Sequence, residues 1–97
     1  MSFEVLLAPE AVEDFSRLRA FDRARVEHAL ESLRQEPTKV SRRGRIKRLR
    51  GMRRPEYRLR VGDLRVFFDV TETEVHVLAI VAKSDALAWL EREGEKT

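Results

Sequence analysis

The segment 57–70, YRLRVGDLRVFFDV, restricts the fold more than any other part of the chain. On either side of Gly62-Asp63 apolar residues recur at every second position: Tyr57, Leu59 and Val61 before it, then Leu64, Val66, Phe68 and Val70. Alternation with period two marks a strand with one buried face. A two-residue link in which glycine supplies a positive φ marks a tight hairpin turn. Counting outward from that turn sets Val61 opposite Leu64, Arg60 opposite Arg65, Leu59 opposite Val66 and Arg58 opposite Phe67. The apolar set then shares the face that meets the rest of the protein, and Arg58, Arg60 and Arg65 share the other.

The flanking segments supply what packs on this hairpin. Residues 75–81, VHVLAIV, are apolar on both faces and are expected inside the sheet, after a second turn near 71–74. Residues 46–51 read as a weak edge strand. Residues 3–7, FEVLL, read as a first strand, apolar enough to be largely buried. Pro9 suits a first helical position, with Glu10, Glu13 and Asp14 favourable in the first turn and Val12, Phe15 and Leu18 as the inner face. Asp22 is expected to cap a second helix, with Phe21 stapled onto Val26. Val26, Ala29, Leu30 and Leu33 form its inner stripe, and Pro37 ends it. Residues 38–45, TKVSRRGR, read as an exposed, mobile loop. Ser84 is expected to cap a last helix over 85–93, with Leu87 and Leu90 inward and Gly94 as its stop.

The resulting order is β-α-α-β-β-β-β-α. It predicts an α+β fold in which an N-terminal strand and a helical hairpin pack on an antiparallel sheet with a short C-terminal helix. The 97 residues suffice for one domain, 1–97, with a single modest core.

Charge is distributed unevenly along this frame. Between Lys39 and Arg65 there are twelve basic residues and two acidic ones, Glu56 and Asp63, for a net of +10. The remainder carries eight basic and fifteen acidic residues, a net of −7, so the overall +3 conceals a strongly basic segment. Such segregation points to an anion, most often nucleic acid. Arg60 and Arg65 sharpen this, because like charges directly opposite across two strands are destabilising, whereas guanidinium forks match phosphate oxygens in bidentate geometry. The bland alternative is a solvated face on which the three arginines pair with Asp69, Glu56 or helix acids. Within the basic stretch 39–54, Lys47, Arg48, Arg50, Arg53 and Arg54 are the candidates to bind nucleic acid. That stretch reads as a surface for nucleic acid, as a landing site for an acidic partner, or as both.

Several classes are excluded. The chain has no cysteine, which removes disulfide scaffolds, iron–sulfur clusters and thiolate zinc sites. Its two histidines, His28 and His76, are far apart in sequence, so no metal site and no cofactor is expected. No apolar run is long enough to span a membrane. The N-terminal residues lack the basic start and cleavage site of a signal peptide, so a cytoplasmic protein is expected.

The frame LLAPEAVEDFSRL, then RLRG, then EYRLRVGDLRVFFDV, then VHVLAIVAKS resembles the RelE/ParE toxin superfamily over nearly the whole chain. The most specific element is YRLRVGDLRVFF at 57–68. The resemblance implies a toxin of a type II toxin–antitoxin system. RelE-like members are metal-independent endoribonucleases that cut mRNA on the ribosome, and ParE-like members inhibit DNA gyrase. It implies a small cognate antitoxin as partner, in a hetero-oligomer, with ribosome and mRNA as targets. By position, Arg58 and Arg60 match the strand residues that contact substrate phosphate, and Arg65 matches the arginine that stabilises the scissile phosphate. Lys83 follows the last strand, where many members have arginine. Trp89 falls where some members have a catalytic tyrosine, as Leu87 does for others.

The departures matter chemically. Cutting RNA without metal requires the 2′-hydroxyl to attack the adjacent phosphorus, with a base, an acid and a stabiliser for the developing charge. Arginine supplies only the last. Lys83 is the one cation of the set able to exchange a proton, and Trp89 can stack on a base but cannot act as acid or base. Tyr57, the only tyrosine, points to the core by parity. His76 shares the arginine face and would stand opposite Asp69. The set therefore suits phosphate binding better than proton transfer. A gyrase inhibitor without catalysis, and a non-toxic relative that only binds its antitoxin, stand as the alternatives.

Overall fold

The computed structural model describes residues 2–40 and 44–97, so the three residues 41–43 of the expected loop lie outside the described residues. Strand β1 (Glu4–Leu7) leads into helix α1 (Pro9–Arg17) and helix α2 (Ala20–Ser32). Strands β2 (Ile46–Arg48), β3 (Met52–Arg54), β4 (Tyr57–Val61), β5 (Leu64–Val70) and β6 (Glu74–Ala82) follow. A 3-10 turn (Lys83–Asp85), helix α3 (Ala86–Glu93) and a terminal strand β7 (Glu95–Lys96) complete the chain.

Five strands form one sheet in the order β1-β6-β5-β4-β2, and β3 pairs separately with β7. The β4–β5 register is the one the turn dictates: Val61 faces Leu64, Arg60 faces Arg65, Leu59 faces Val66 and Arg58 faces Phe67. Gly62 adopts φ +58, which an L side chain rarely allows. Strand β6 lies between β1 and β5, as its apolar run requires. Its pairing with β5 shifts between Phe67 and Phe68, which face Ala79 and Val77, so Leu78 is an extra residue. Such a bulge reverses the parity of a strand. Val75 and Val77 therefore face one layer, and Ala79 and Val81 beyond the bulge face the other.

Two apolar clusters result. The larger lies between the sheet and the first two helices and holds Ala11, Val26, Ala29, Leu30 and Leu33 against Tyr57, Leu59, Val61, Val66, Phe68, Val75, Val77 and Ile80. The smaller lies beneath α3 and is built from Phe67, Ala79 and Trp89, with Leu49, Leu78, Val81, Ala86 and Leu90 around it. The helices are thus divided between the two faces of the sheet. Among the described residues no helix is long and apolar enough to cross a membrane.

Several expectations are corrected. Strand β1 is an edge strand, half-exposed, and runs parallel to β6 because α1 and α2 carry the chain away before it returns. In α1 the inward phase belongs to Ala11, and Val12 is 52% exposed. Helix α2 starts at Ala20, two residues before Asp22, so Asp22 lies in its first turn and bonds Arg19 rather than capping. Phe21 consequently does not staple onto the core. At the C-terminal end Ser84 falls in the 3-10 turn, and Leu87 is exposed where Trp89 is buried. Gly94 does end α3, with an extended backbone. A Cβ there would crowd Met52 Cε and the Leu90 carbonyl oxygen, because β7 is drawn in against β3.

Candidate phosphate-binding face

The site is built by the β2–β4–β5 part of the sheet, on the face away from α1 and α2. The register places Lys47 opposite Arg58 and Arg58 opposite Phe67 in one row. In the next row Arg60 stands opposite Arg65, and its backbone N–H donates to the Arg45 carbonyl at 2.8 Å. Opposite side chains in such rows are about 5 Å apart at Cβ. Arg65 is 8% exposed, and its Nη1 donates to the carbonyl oxygens of Gly62 and Leu64, both at 2.9 Å. Arg58 is half-buried and donates from Nη2 to the Gly44 carbonyl, while its Nε is buried without a partner. Burial first, then the charges of Arg65 and Arg60, lower the Arg58 pKa from its ordinary value. Arg60 is exposed.

Among the described residues none of Arg58, Arg60 and Arg65 has a carboxylate within ion-pair distance. The acids that could have neutralised them are engaged elsewhere. Asp69 accepts the Glu56 N–H at 2.7 Å and pairs with Arg54 at 3.5 Å. Glu56 accepts the Val70 N–H at 3.3 Å and lies 3.9 Å from Arg48. Asp69 itself is raised from its ordinary value, chiefly by burial. The solvated-face alternative, in which these acids neutralise the three arginines, does not hold.

The remaining sequence candidates divide. Lys83 is exposed, and its backbone N–H donates to the Asp63 carbonyl at 2.7 Å, which ties it to the hairpin turn that carries Arg65. Lys47 and Arg50 are exposed and have no carboxylate partner among the described residues. Arg48 is spent on Tyr57, donating to its hydroxyl at 3.1 Å and lying 5.4 Å over its ring. Arg53 and Arg54 pair with Glu95 of β7 at 3.1 and 3.7 Å. Trp89 is corrected: it is 5% exposed, its ring is stacked on Phe67 at 4.9 Å, and its Nε1–H donates to Glu10 at 2.8 Å. A ring so enclosed does not offer a face to a base. His76 is opposite Asp69 as expected, but its Nε2 lies 2.8 Å from Glu74. Tyr57 is buried against Phe68, in agreement with its parity. Residues 41–43 apart, the sequence reading missed Arg45, whose place in the Arg60 row follows from the β2–β4 register. Among the described residues no group of three or more His, Asp or Glu could hold a metal ion.

Chemically, the face offers several guanidinium forks, one of them half-buried with an unpartnered Nε, beside a lysine at the turn. It can hold a phosphate and offset charge developing on it. Apart from the lysine, the groups of this face that exchange a proton, His76, Asp69 and Glu56, lie further along the strands and are engaged with Glu74, Arg54 and Arg48.

The comparisons agree with this architecture. Residues 5–87 match the family described as ParE toxin of type II toxin–antitoxin system, parDE. The fold is similar to RelE in the archaeal RelE–RelB complex from Pyrococcus horikoshii, at 22% identity, with a TM-score of 0.71 over 86% of this chain and 97% of that one. It is similar to the RelBE2 toxin–antitoxin complex of Mycobacterium tuberculosis, at 22% identity and a TM-score of 0.69 over 84% and 99% of the chains. It is also similar to a free mutant RelE toxin of E. coli, at 17% identity and a TM-score of 0.70 over 96% and 99%. No curated protein matches by sequence.

Proposed function

Because the chain belongs to the ParE toxin family of type II toxin–antitoxin systems, we propose that it is a RelE-like toxin that cleaves mRNA on the ribosome in the cytoplasm. The observation that carries this reading is the row of Arg60 and Arg65 beside Arg58, three guanidinium groups without a carboxylate among the described residues. In the proposed reaction the 2′-hydroxyl attacks the neighbouring phosphorus and the 5′-oxygen leaves, which gives a cyclic phosphate. Arg58 and Arg60 hold the phosphate, and Arg65 offsets the charge that builds on its oxygens. Lys83, at the hairpin turn, gives a proton to the leaving oxygen, and the proton of the attacking 2′-hydroxyl passes to solvent water. Lys47 and Arg50 extend the basic surface for the RNA backbone, with Arg48, Arg53 and Arg54 reaching it once phosphate competes for their present acids. No cofactor takes part.

The partner is a small antitoxin that lays a helix or strand on the toxin and masks the basic face in a hetero-oligomer. Relatives of the same fold occur as RelE–RelB complexes.

A second reading has its own observation. Tyr57 and Trp89 are both in the core, and His76 and Asp69 of the arginine face are engaged with Glu74 and Arg54, so Lys83 is the proton-transfer group left beside the three arginines among the described residues. That favours a non-catalytic inhibitor of DNA gyrase, as the ParE family name suggests. Induced expression separates the readings when growth, translation in a cell-free extract and gyrase supercoiling are followed together. The RNA reading expects arrest of translation with supercoiling intact, and relief of growth arrest in Arg65→Ala and in Arg58→Ala/Arg60→Ala. Loss of supercoiling with translation intact would select the gyrase reading.

A further inference from the structure

The tip of the β4–β5 hairpin is bracketed by two guanidinium groups. From the arginine face, Arg65 folds back onto the Gly62 and Leu64 carbonyl oxygens. From the helix side, Arg25 of α2 lies against the turn itself. A Cβ at Gly62 would meet its Nη1 at 2.6 Å, its Nη2 at 2.7 Å and its Cζ at 2.9 Å. Glycine at 62 is demanded by its φ of +58, and its missing Cβ leaves room for the Arg25 guanidinium to lie against the turn. Among the described residues Arg25 has no carboxylate partner. Its guanidinium carbon lies 5.5 Å from the centroid of the Phe21 ring, one turn earlier on α2.

Phe21 is 70% exposed, the largest exposure among the large apolar side chains of the described residues. Its neighbours three and four positions on are Ala24 and Arg25, so it does not open an apolar groove of the kind a hydrophobic helix fills. An aromatic ring carrying a guanidinium at the rim of a cationic cluster is what single-stranded nucleic acid uses. The ring stacks a base, and the cation takes a phosphate. A duplex keeps its bases stacked inside and gains nothing from such a ring.

We infer that Phe21 and Arg25 form a second nucleotide position, continuous with Arg65 around the hairpin tip. An unpaired base next to the phosphate held by Arg58, Arg60 and Arg65 stacks on Phe21, and the adjoining phosphate lies against Arg25. This rests on the RNA reading above and adds the single-stranded character of the substrate at that position.

The test uses the full-length protein and fluorescence anisotropy. One probe is a single-stranded 2′-O-methyl RNA of about six nucleotides, which cannot be cut, and the other is its abasic counterpart. Phe21→Ala is expected to weaken the base-bearing probe roughly 5- to 100-fold, to leave the abasic probe within about twofold, and to be rescued by Phe21→Tyr. Arg25→Ala is expected to weaken both probes and to flatten their salt dependence. The inference is overturned if Phe21→Ala binds both probes like the wild type while Arg65→Ala does not. It is also overturned if Phe21→Ala loses capture of a co-expressed protein partner with RNA binding unchanged. If Arg65→Ala binds the abasic probe like the wild type, the RNA reading itself falls, and this inference with it.

Discussion

Arg60 of β4 and Arg65 of β5 stand directly opposite each other across the hairpin, and among the described residues neither has a carboxylate partner. Two like charges in that relation destabilise a sheet by up to ~1 kcal/mol. Arg60→Gln is therefore expected to raise the melting temperature by roughly 4–8 °C at most, since that is the shift about 1 kcal/mol produces in a domain near 100 residues. The same substitution should weaken phosphate binding. Thermal unfolding with and without inorganic phosphate, at matched ionic strength, checks both halves. A lower melting temperature in the variant would show that Arg60 contributes to the fold instead of serving a ligand.

Arg58 makes the same point from inside the protein. Its pKa is lowered by burial first and by Arg65 and Arg60 next, so the charged form is disfavoured in the folded state. A guanidinium keeps its proton across neutral pH. The penalty is therefore constant across neutral pH and is relieved only as pH climbs through the lowered value. Arg58→Met is expected to be at least as stable as the wild type from pH 6 to 8, with an unchanged pH profile there, and to lose RNA binding. Chemical denaturation at several pH values measures it.

Asp69 gives a pH dependence of the opposite kind. Burial is the first cause that raises it, with the Glu56 carboxylate adding and the Glu56 N–H, Arg54 and His76 opposing. A carboxyl raised in the folded state adds stability that is full below its ordinary value, near 3.9, and is lost as pH rises through the folded value. Asp69→Asn keeps an acceptor for the Glu56 N–H and removes that titration. The stability of the wild type relative to this variant is expected to fall as pH rises through the carboxylate range. A difference that grows with pH would mean that the Arg54 ion pair dominates.

These effects show which parts of the molecule were legible in the sequence. The hairpin register and the placement of Arg58, Arg60 and Arg65 follow from period two and a Gly-Asp turn, both local signals. The interior place of β6 follows from its apolar run. The phase of α3 does not, because Leu87, Trp89 and Leu90 lie around an eight-residue helix, and the choice among them is made by Phe67 on a distant strand. The inward turn of Ala11 instead of Val12 is likewise set by what α1 packs on. Strand β7 has two residues and no periodicity, and it exists because Met52–Arg54 offers it a partner.

One long-range contact of this kind has a measurable weight. Beyond Val77 the edge of β6 has no paired β1 residue, and Asp14 of α1 accepts the Ile80 N–H there at 3.0 Å. Asp14→Ala leaves that amide without its partner and is expected to cost about 1–3 kcal/mol. Hydrogen exchange at Ile80, faster in the variant than in the wild type, would assign the loss to this bond.

The central claim is that Arg65, with Arg58 and Arg60, holds a scissile phosphate of mRNA. Its most direct test is a translating extract programmed with one defined mRNA, in which the 3′ ends formed after addition of protein are mapped and their chemistry is read. The account predicts cuts within the reading frame that end in a 2′,3′-cyclic phosphate, and a rate lower by on the order of 100-fold or more in Arg65→Ala. Intact mRNA with the wild-type protein, or cutting by Arg65→Ala at the wild-type rate, would contradict it.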